Sequence, residues 1–318
     1  YDRSLPWNRD VRGDQVLPLI NDDFSVIRGK AGPGTGKTFG LKRRVLRLLH
    51  AQGAGAKPEE ILVCAFNRII ARQLLDEISE ELKPYELGLP TVSTIHALCA
   101  RLAARKTRRI LLPHEEEPMV YDVRNLHSEI KRQYTSKPRA LKALRDHEAG
   151  IASQTALMQA VQQWLAEHGA ERIGDLPRED QHRLASGEFA DQKYRYIIVD
   201  EFQDLTELEA KIVVSLRAQN SEMIGLGDKK QSIYSFRGNM KRALEVIQDL
   251  VSESVSDHSM DECQRCPRRI VNLANEVMAL ENEPLISIGD EEGQLHNVHF
   301  DSPSDEIAGM AAEVDRVY

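Results

Sequence analysis

The run VIRGKAGPGTGKT, residues 26–38, constrains the fold more than any other part of the chain. A strand pattern enters it and a helical pattern leaves it, so glycines must turn the chain while backbone N–H groups converge at the positive end of a helix. That arrangement cradles phosphate. Lys37 is placed to reach the β- and γ-phosphates and the Thr38 hydroxyl to hold a divalent ion, so the expected cofactors are ATP and Mg2+. Ala31 stands where the strict pattern has glycine, a small departure, and Gly32, Gly34, Thr35 and Gly36 complete the expected phosphate-binding loop.

Short apolar runs alternate with longer helical patterns: 24–27 then 41–49, 61–66 then 69–82, and 196–199 then 205–216. The alternation predicts an α/β fold with a parallel sheet, with further strands at 91–94 and 223–226. From about 105 to 190 the pattern turns helical without convincing strands, as for an insertion. The polar stretch VSESVSDHS, 251–259, reads as a hinge or a surface loop, the hinge being preferred. Beyond it a helix is expected over 267–280, a strand over 295–300 and a helix over 304–317. The expected division is therefore a first core from 1–104 and 191–257, the insertion 105–190, and the start of a second core, 258–318.

A second chemical feature is YRYIIVDEFQD, residues 194–204, an apolar strand ending on two consecutive carboxylates. Alone, such a pair reads equally as a solvated strand end. Downstream of a phosphate loop, Asp200 is expected to hold the metal and Glu201 to orient the attacking water and accept its proton.

Net charge of -8 does not announce a nucleic-acid binder, although the basic runs at 42–47 and 101–109 read either as local positive surfaces or as solvated helix faces. No apolar run approaches the roughly 18 residues that cross a bilayer, so a cytoplasmic protein without membrane contact is expected. Cys263 and Cys266 have C-x-x-C spacing, but Cys64 and Cys99 lie far upstream in apolar segments, which weighs against a zinc or redox site.

Together these segments resemble the UvrD/Rep-like superfamily 1A DNA helicases. DEFQD is the family's form of motif II, CAFNRIIARQL resembles motif Ia, and TVSTIHALCARL the next DNA-contacting motif. GLGDKKQSIYSFRG is similar to motif III and MDECQRCPRRIVNLANEVM to motif IV. The resemblance implies two RecA-like cores, the first carrying the P-loop site and the helical insertion. It implies Gln15 as the adenine reader, Gln231 as the γ-phosphate sensor and Arg265 as an arginine finger, so the catalytic set is Lys37, Glu201, Gln231 and Arg265. Motifs V and VI have no counterpart here, and the first residue is Tyr1, so a piece of a longer protein is expected.

For single-stranded DNA the resemblance implies Phe66, Tyr234, Phe236 and Arg237 as stacking or pairing residues, with Asn67, Thr94 and His96 as phosphate or sugar contacts. Phe66 reads also as a core residue, and His96 equally as a structural histidine. The family commonly holds adenine between an arginine after the phosphate-loop threonine and a tyrosine before the motif IV arginine. Here those positions are Phe39 and Gln264. Phe39 therefore reads either as a base-stacking ring or as the first apolar residue of a helix.

The function expected is an ATP-dependent helicase or translocase acting on single-stranded DNA and duplex junctions, moving 3′ to 5′ as the resembling family does, with DNA repair among its pathways. The alternatives are the motor subunit of a helicase-nuclease or defence complex with protein partners, or a DNA-binding regulatory subunit with weak ATPase.

Overall fold

A computed structural model of the protein describes residues 1–103, 109–148, 155–177, 180, 193–231, 243–277, 284–296 and 298–317. Its centre is a six-stranded sheet. The strands are β1 (Val26–Ala31), β2 (Ile61–Ala65), β3 (Thr91–Thr94), β6 (Tyr194–Val199), β7 (Arg217–Gly227) and β8 (Val255–Met260), in the order β3-β2-β6-β7-β1-β8. Every pairing is parallel. All six strands therefore end at one edge of the sheet, where open α/β sheets bind ligands.

The sequence forms these elements for identifiable reasons. All five residues of β2, Ile-Leu-Val-Cys-Ala, are buried, as a strand covered on both faces requires. Helix α2 (Lys37–Leu49) starts after Gly36, whose φ of 91° few side chains tolerate, and turns Leu41, Val45 and Leu48 into the core. Helix α3 (Arg68–Leu82) is capped by Asn67, whose side chain accepts from Ile70 N, and buries Leu74, Ile78 and Leu82 at four-residue spacing. Together with α1 (Leu17–Asn21) these helices cover one face of the sheet. Helices α4 (Ile95–Ala103), α9 (Glu207–Ser215) and α10 (Ala243–Leu250) supply apolar residues to the other.

Three expectations are corrected. Residues 251–259 are not a hinge: Val255–Met260 pairs with β1 along its whole length, so the sheet runs through the boundary expected at 257/258. The strand is polar because it is an edge strand. Arg28 fixes it there, donating from Nε and Nη2 to the two carboxylate oxygens of Asp257 at 2.5 and 2.7 Å. The second correction lies in the insertion, where β4 (Arg109–Leu111) and β5 (Ala170–Arg172) form a parallel ladder among α5 (Glu116–Leu126), α6 (Ser128–Gln133), α7 (Lys137–Glu148) and α8 (Ala156–Glu167). The third is at 295–300, whose described residues form no strand.

The insertion has its own core of Met119, Val120, Val123, Leu144, Leu157 and Val161. Past β8, β9 (Glu262–Cys263) pairs in parallel with β10 (Ile286–Ser287), and α11 (Arg268–Val277) and α12 (Pro303–Val317) follow. These two helices leave Leu273, Val277, Ile307 and Met310 exposed. Among the described residues no helix is long and apolar enough to cross a membrane.

Candidate nucleotide and DNA-facing site

The phosphate loop leaves β1 and closes on itself, the buried Thr35 hydroxyl donating to Gly32 O at 2.8 Å. Gly34 and Gly36 both take left-handed φ, 70° and 91°, which turns the loop without a Cβ in the way. Two strands away, β6 delivers Asp200 and Glu201 to the same edge. Glu201 itself has φ 51°, a conformation a non-glycine residue rarely adopts, and it turns its carboxylate toward α2. Lys37 Nζ lies 3.5 Å from Glu201 Oε1. That ammonium is buried and makes no hydrogen bond, so its donors remain available to an anion.

Asp200 is almost fully buried, and its carboxyl is pushed up to about 6 by burial first and by the neighbouring Glu201 carboxylate second, against the pull of Lys37. A buried carboxylate crowded by another one fits a hard divalent cation with oxygen ligands, which relieves both costs. Mg2+ takes only one or two protein ligands beside phosphates and water, and Asp200 with Thr38 at the start of α2 suits that number.

Beyond the pair of carboxylates the sequence-based reading missed a link. Gln203 is buried, donates from Nε2 to Glu201 Oε2 at 2.7 Å and accepts from Asp228 N at 3.0 Å. Asp228 in turn accepts from Gln231 Nε2 at 2.9 Å. Glu201, Gln203, Asp228 and Gln231 thus form one hydrogen-bonded line across the ends of β6 and β7. Gln203 stands inside DEFQD, so its position was visible, but nothing local points to Asp228.

The segment after β8 crosses the phosphate loop. Gln264 N donates to Gly34 O at 2.9 Å, and a side chain on Gly34 would meet Arg265 Cβ at 2.9 Å. Arg265, itself exposed, therefore stands beside the loop. Gln15 is tied to the same segment: its Oε1 accepts from Asp261 N and Glu262 N, and its Nε2 donates to Asp261 Oδ1. Phe39 packs against the edge of the core, half-buried, with the Arg43 guanidinium 5.0 Å from its ring centre.

The basic run after the loop is not a free positive surface. Lys42 and Arg43 both pair with Glu81, and Arg47 pairs with Asp23. Arg44 is buried; it donates to carbonyls at the end of α1 and to Glu222 Oε2 at 2.5 Å. Each charge is taken up by an acid distant in sequence.

At the same sheet edge, Phe66 follows β2 and packs partly against the core. Asn67 caps α3. Thr94 ends β3, is buried, and accepts from Ala97 N at 3.2 Å. His96 Nδ1 lies 3.4 Å from the buried Glu209 carboxylate. Tyr234, Phe236 and Arg237 lie outside the described residues. The four cysteines are free thiols, and no group of three or more His, Cys, Asp or Glu fit to hold a metal occurs among the described residues.

Comparison with known proteins bears on the family to which the chain belongs. A family described as an AAA domain matches residues 17–237, more than half of the chain. ATP-dependent DNA helicase PcrA of Staphylococcus aureus is 24% identical over 282 residues, covering 80% of this chain and 38% of the relative. PcrA of Staphylococcus epidermidis matches with the same identity and coverage. The chain thus spans 38% of the length of these relatives. The matched region holds the phosphate loop, Asp200, Glu201 and Gln231, and with it the chain belongs to this AAA-domain family, in its UvrD/Rep-like superfamily 1 branch.

Proposed function

We propose that the chain hydrolyses ATP to drive movement along single-stranded DNA, 3′ to 5′, with strand separation at duplex junctions. The observation that carries this reading is the convergence at one sheet edge of Lys37, Asp200, Glu201 and Arg265. Lys37 holds the β- and γ-phosphates, Thr38 and Asp200 hold Mg2+, and Mg2+ when bound supplies positive charge to the phosphate oxygens. Glu201 Oε1 orients water in line with the γ-phosphate and accepts its proton, while Gln203 fixes the other carboxylate oxygen. Gln231 senses the γ-phosphate and passes its state along the line through Asp228. Arg265, standing on the segment beyond β8, neutralises charge developing in the transition state.

DNA lies along the ends of β2 and β3. Phe66 stacks on a base, and Asn67, Thr94 and His96 line its backbone, a sequence-tolerant mode suited to a motor. Because Asn67 also caps α3 and His96 pairs with Glu209, both are held in fixed orientations. The test is steady-state ATPase activity with and without single-stranded DNA. Hydrolysis stimulated by DNA and lost in Glu201→Gln supports the reading; hydrolysis indifferent to DNA removes the motor part of it.

A further inference from the structure

Cys263 and Cys266 take no part in the nucleotide reading, yet they bracket Arg265 at the phosphate loop. Cys263 lies on β9, opposite Ser287 of β10, and is buried. A Cβ on Gly34 would meet its Sγ at 3.0 Å and Arg265 Cβ at 2.9 Å, so the thiol and the arginine sit side by side against one glycine of the loop. After Cys263 the chain bends through Gln264, Arg265 and Cys266, and the bend returns the second thiol to the first. The Cys266 thiol is raised by burial first and then by the adjacent Cys263 thiol, through its charge and a hydrogen bond, against the pull of Arg265.

The two thiols differ in access. Cys266 is partly exposed and Cys263 is not, so a reagent meets Cys266 first and Cys263 is placed to resolve what forms there. The other two cysteines have no such asymmetry. Cys64 and Cys99 are both sealed in the core beneath the sheet, where burial pushes the Cys64 thiol up to about 12.

We propose that Cys263 and Cys266 form a reversible disulfide that displaces Arg265 from the phosphate loop. The oxidant is a low-molecular-weight disulfide. Cys266, as thiolate, attacks one of its sulfurs and releases the first thiolate; Cys263, deprotonated in turn, attacks Cys266 Sγ and releases the second. Two protein thiols lose two electrons, the small disulfide becomes two thiols, and both protons pass to the leaving groups.

The bond draws the sulfurs to about 2 Å and closes a ring through Gln264 and Arg265. Cys263 is held by strand pairing, and Ile288 N donates to its carbonyl at 3.2 Å, so the bend takes up the movement. Gln264 ties that bend to the loop, its N donating to Gly34 O at 2.9 Å and its Nε2 to Arg12 O at 2.8 Å. Tightening the bend therefore shifts Arg265 relative to Gly34. The modification stands on the two thiols alone; its effect on hydrolysis rests on the nucleotide reading given above.

The test equilibrates residues 1–318 in buffers of graded reduced-to-oxidised glutathione ratio, traps free thiols by alkylation and maps peptides by mass. A single two-electron transition linking Cys263 to Cys266 is expected, reversed by dithiothreitol and absent in Cys266→Ser, with Cys64 and Cys99 alkylated only after unfolding. Mg-ATP hydrolysis with single-stranded DNA should fall by about tenfold or more on oxidation, recover on reduction, and be indifferent to glutathione disulfide in Cys266→Ser. Thiols that stay free at the most oxidising ratio, or a glutathione adduct on Cys266 that Cys263 never resolves, overturn the inference. So does a disulfide that forms and leaves hydrolysis unchanged. A reduced chain that neither binds nor hydrolyses ATP overturns the nucleotide reading instead, and with it the link to hydrolysis, while the peptide map still decides the disulfide.

Discussion

Lys37 Nζ and Glu201 Oε1 lie 3.5 Å apart, so the cation proposed to bind phosphate and the carboxylate proposed as base offset each other's charge. A γ-phosphate competes with Glu201 for Lys37. Removing the carboxylate charge frees the ammonium for phosphate and deprives the water of its base. Glu201→Gln should therefore bind ATP at least as tightly as the unaltered chain while turnover falls by about 10² or more. Lys37→Ala should weaken ATP binding. Nucleotide titration beside steady-state hydrolysis separates the two, and equal losses of binding in both variants would contradict the roles assigned.

Asp200 gives a prediction in pH. Its folded carboxyl is held at about 6, above the ordinary carboxylate range, chiefly by burial. The folded chain therefore binds a proton that the unfolded chain has released. Stability from that proton is fully present below about pH 4 and is lost as pH rises through about 6. In metal-free buffer, Asp200→Asn should melt above the unaltered chain at pH 7–8, by on the order of 2 kcal/mol, with the gap closing toward pH 4. Mg2+ affinity should move the opposite way, weakening as pH falls through about 6. Thermal melts across pH with and without Mg2+ check both signs.

Gln203 joins Glu201 to Asp228, and its loss should be felt at both ends. Gln203→Ala leaves the Asp228 N–H without its acceptor, which should cost about 1–3 kcal/mol of stability. It also releases one oxygen of Glu201, and a loosened base should lower kcat by roughly 10- to 100-fold with the KM for ATP little changed. Gln203→Glu places a second carboxylate against Glu201 and should displace the acidic limb of the pH–rate profile upward. A fall in stability with kcat and profile unchanged would make Gln203 purely structural.

How much of this was legible in the sequence depends on how far apart the partners are. The phosphate loop and Asp200-Glu201 are contiguous signals, and the helices α2 and α3 follow from apolar spacing. The acids that take up Lys42, Arg43, Arg44 and Arg47 come from Asp23, Glu81 and Glu222, so a run that reads as a basic surface is a set of structural ion pairs. β8 escaped because half of an edge strand is solvated, and its signal is the pairing of Asp257 with Arg28, 229 residues away. The commitment of Gln15 to Asp261 spans 246 residues. Contacts of that range have no local periodicity to betray them.

Arg265 stands beside Gly34 and should act on rate more than on affinity. Arg265→Ala should reduce DNA-stimulated turnover by about 10³ or more while ATP binding changes little. Arg265→Lys should recover little, because an ammonium lacks the planar fork that matches phosphate oxygens. The two variants are compared by steady-state hydrolysis and nucleotide titration in the same buffer. Full activity in Arg265→Ala would remove it from the site.

The insertion holds a buried charge cluster that tests how that unit is stabilised. Arg172 is buried against Glu116, Glu148 and Asp175, three carboxylates around one guanidinium. Because acids outnumber the base, burial and the repulsion of Glu116 and Asp175 outweigh the attraction of Arg172, and the Glu148 carboxyl is pushed up to about 7. Removing Arg172 leaves Glu116, Glu148 and Asp175 without the guanidinium they share, so Arg172→Met should destabilise the insertion by about 3–5 kcal/mol. Glu148→Gln removes one acid of the excess and keeps Arg172 paired with the other two, so it should be nearly neutral or stabilising. Its sign depends on pH: with a raised folded value, the stability owed to Glu148's proton is present below about pH 4 and lost as pH rises through about 7. Glu148→Gln should therefore gain on the unaltered chain between those limits, as read by proteolysis of the insertion across pH. A loss of stability in Glu148→Gln that grows toward pH 8 would mean that Glu148 serves there as an ionised partner of Arg172.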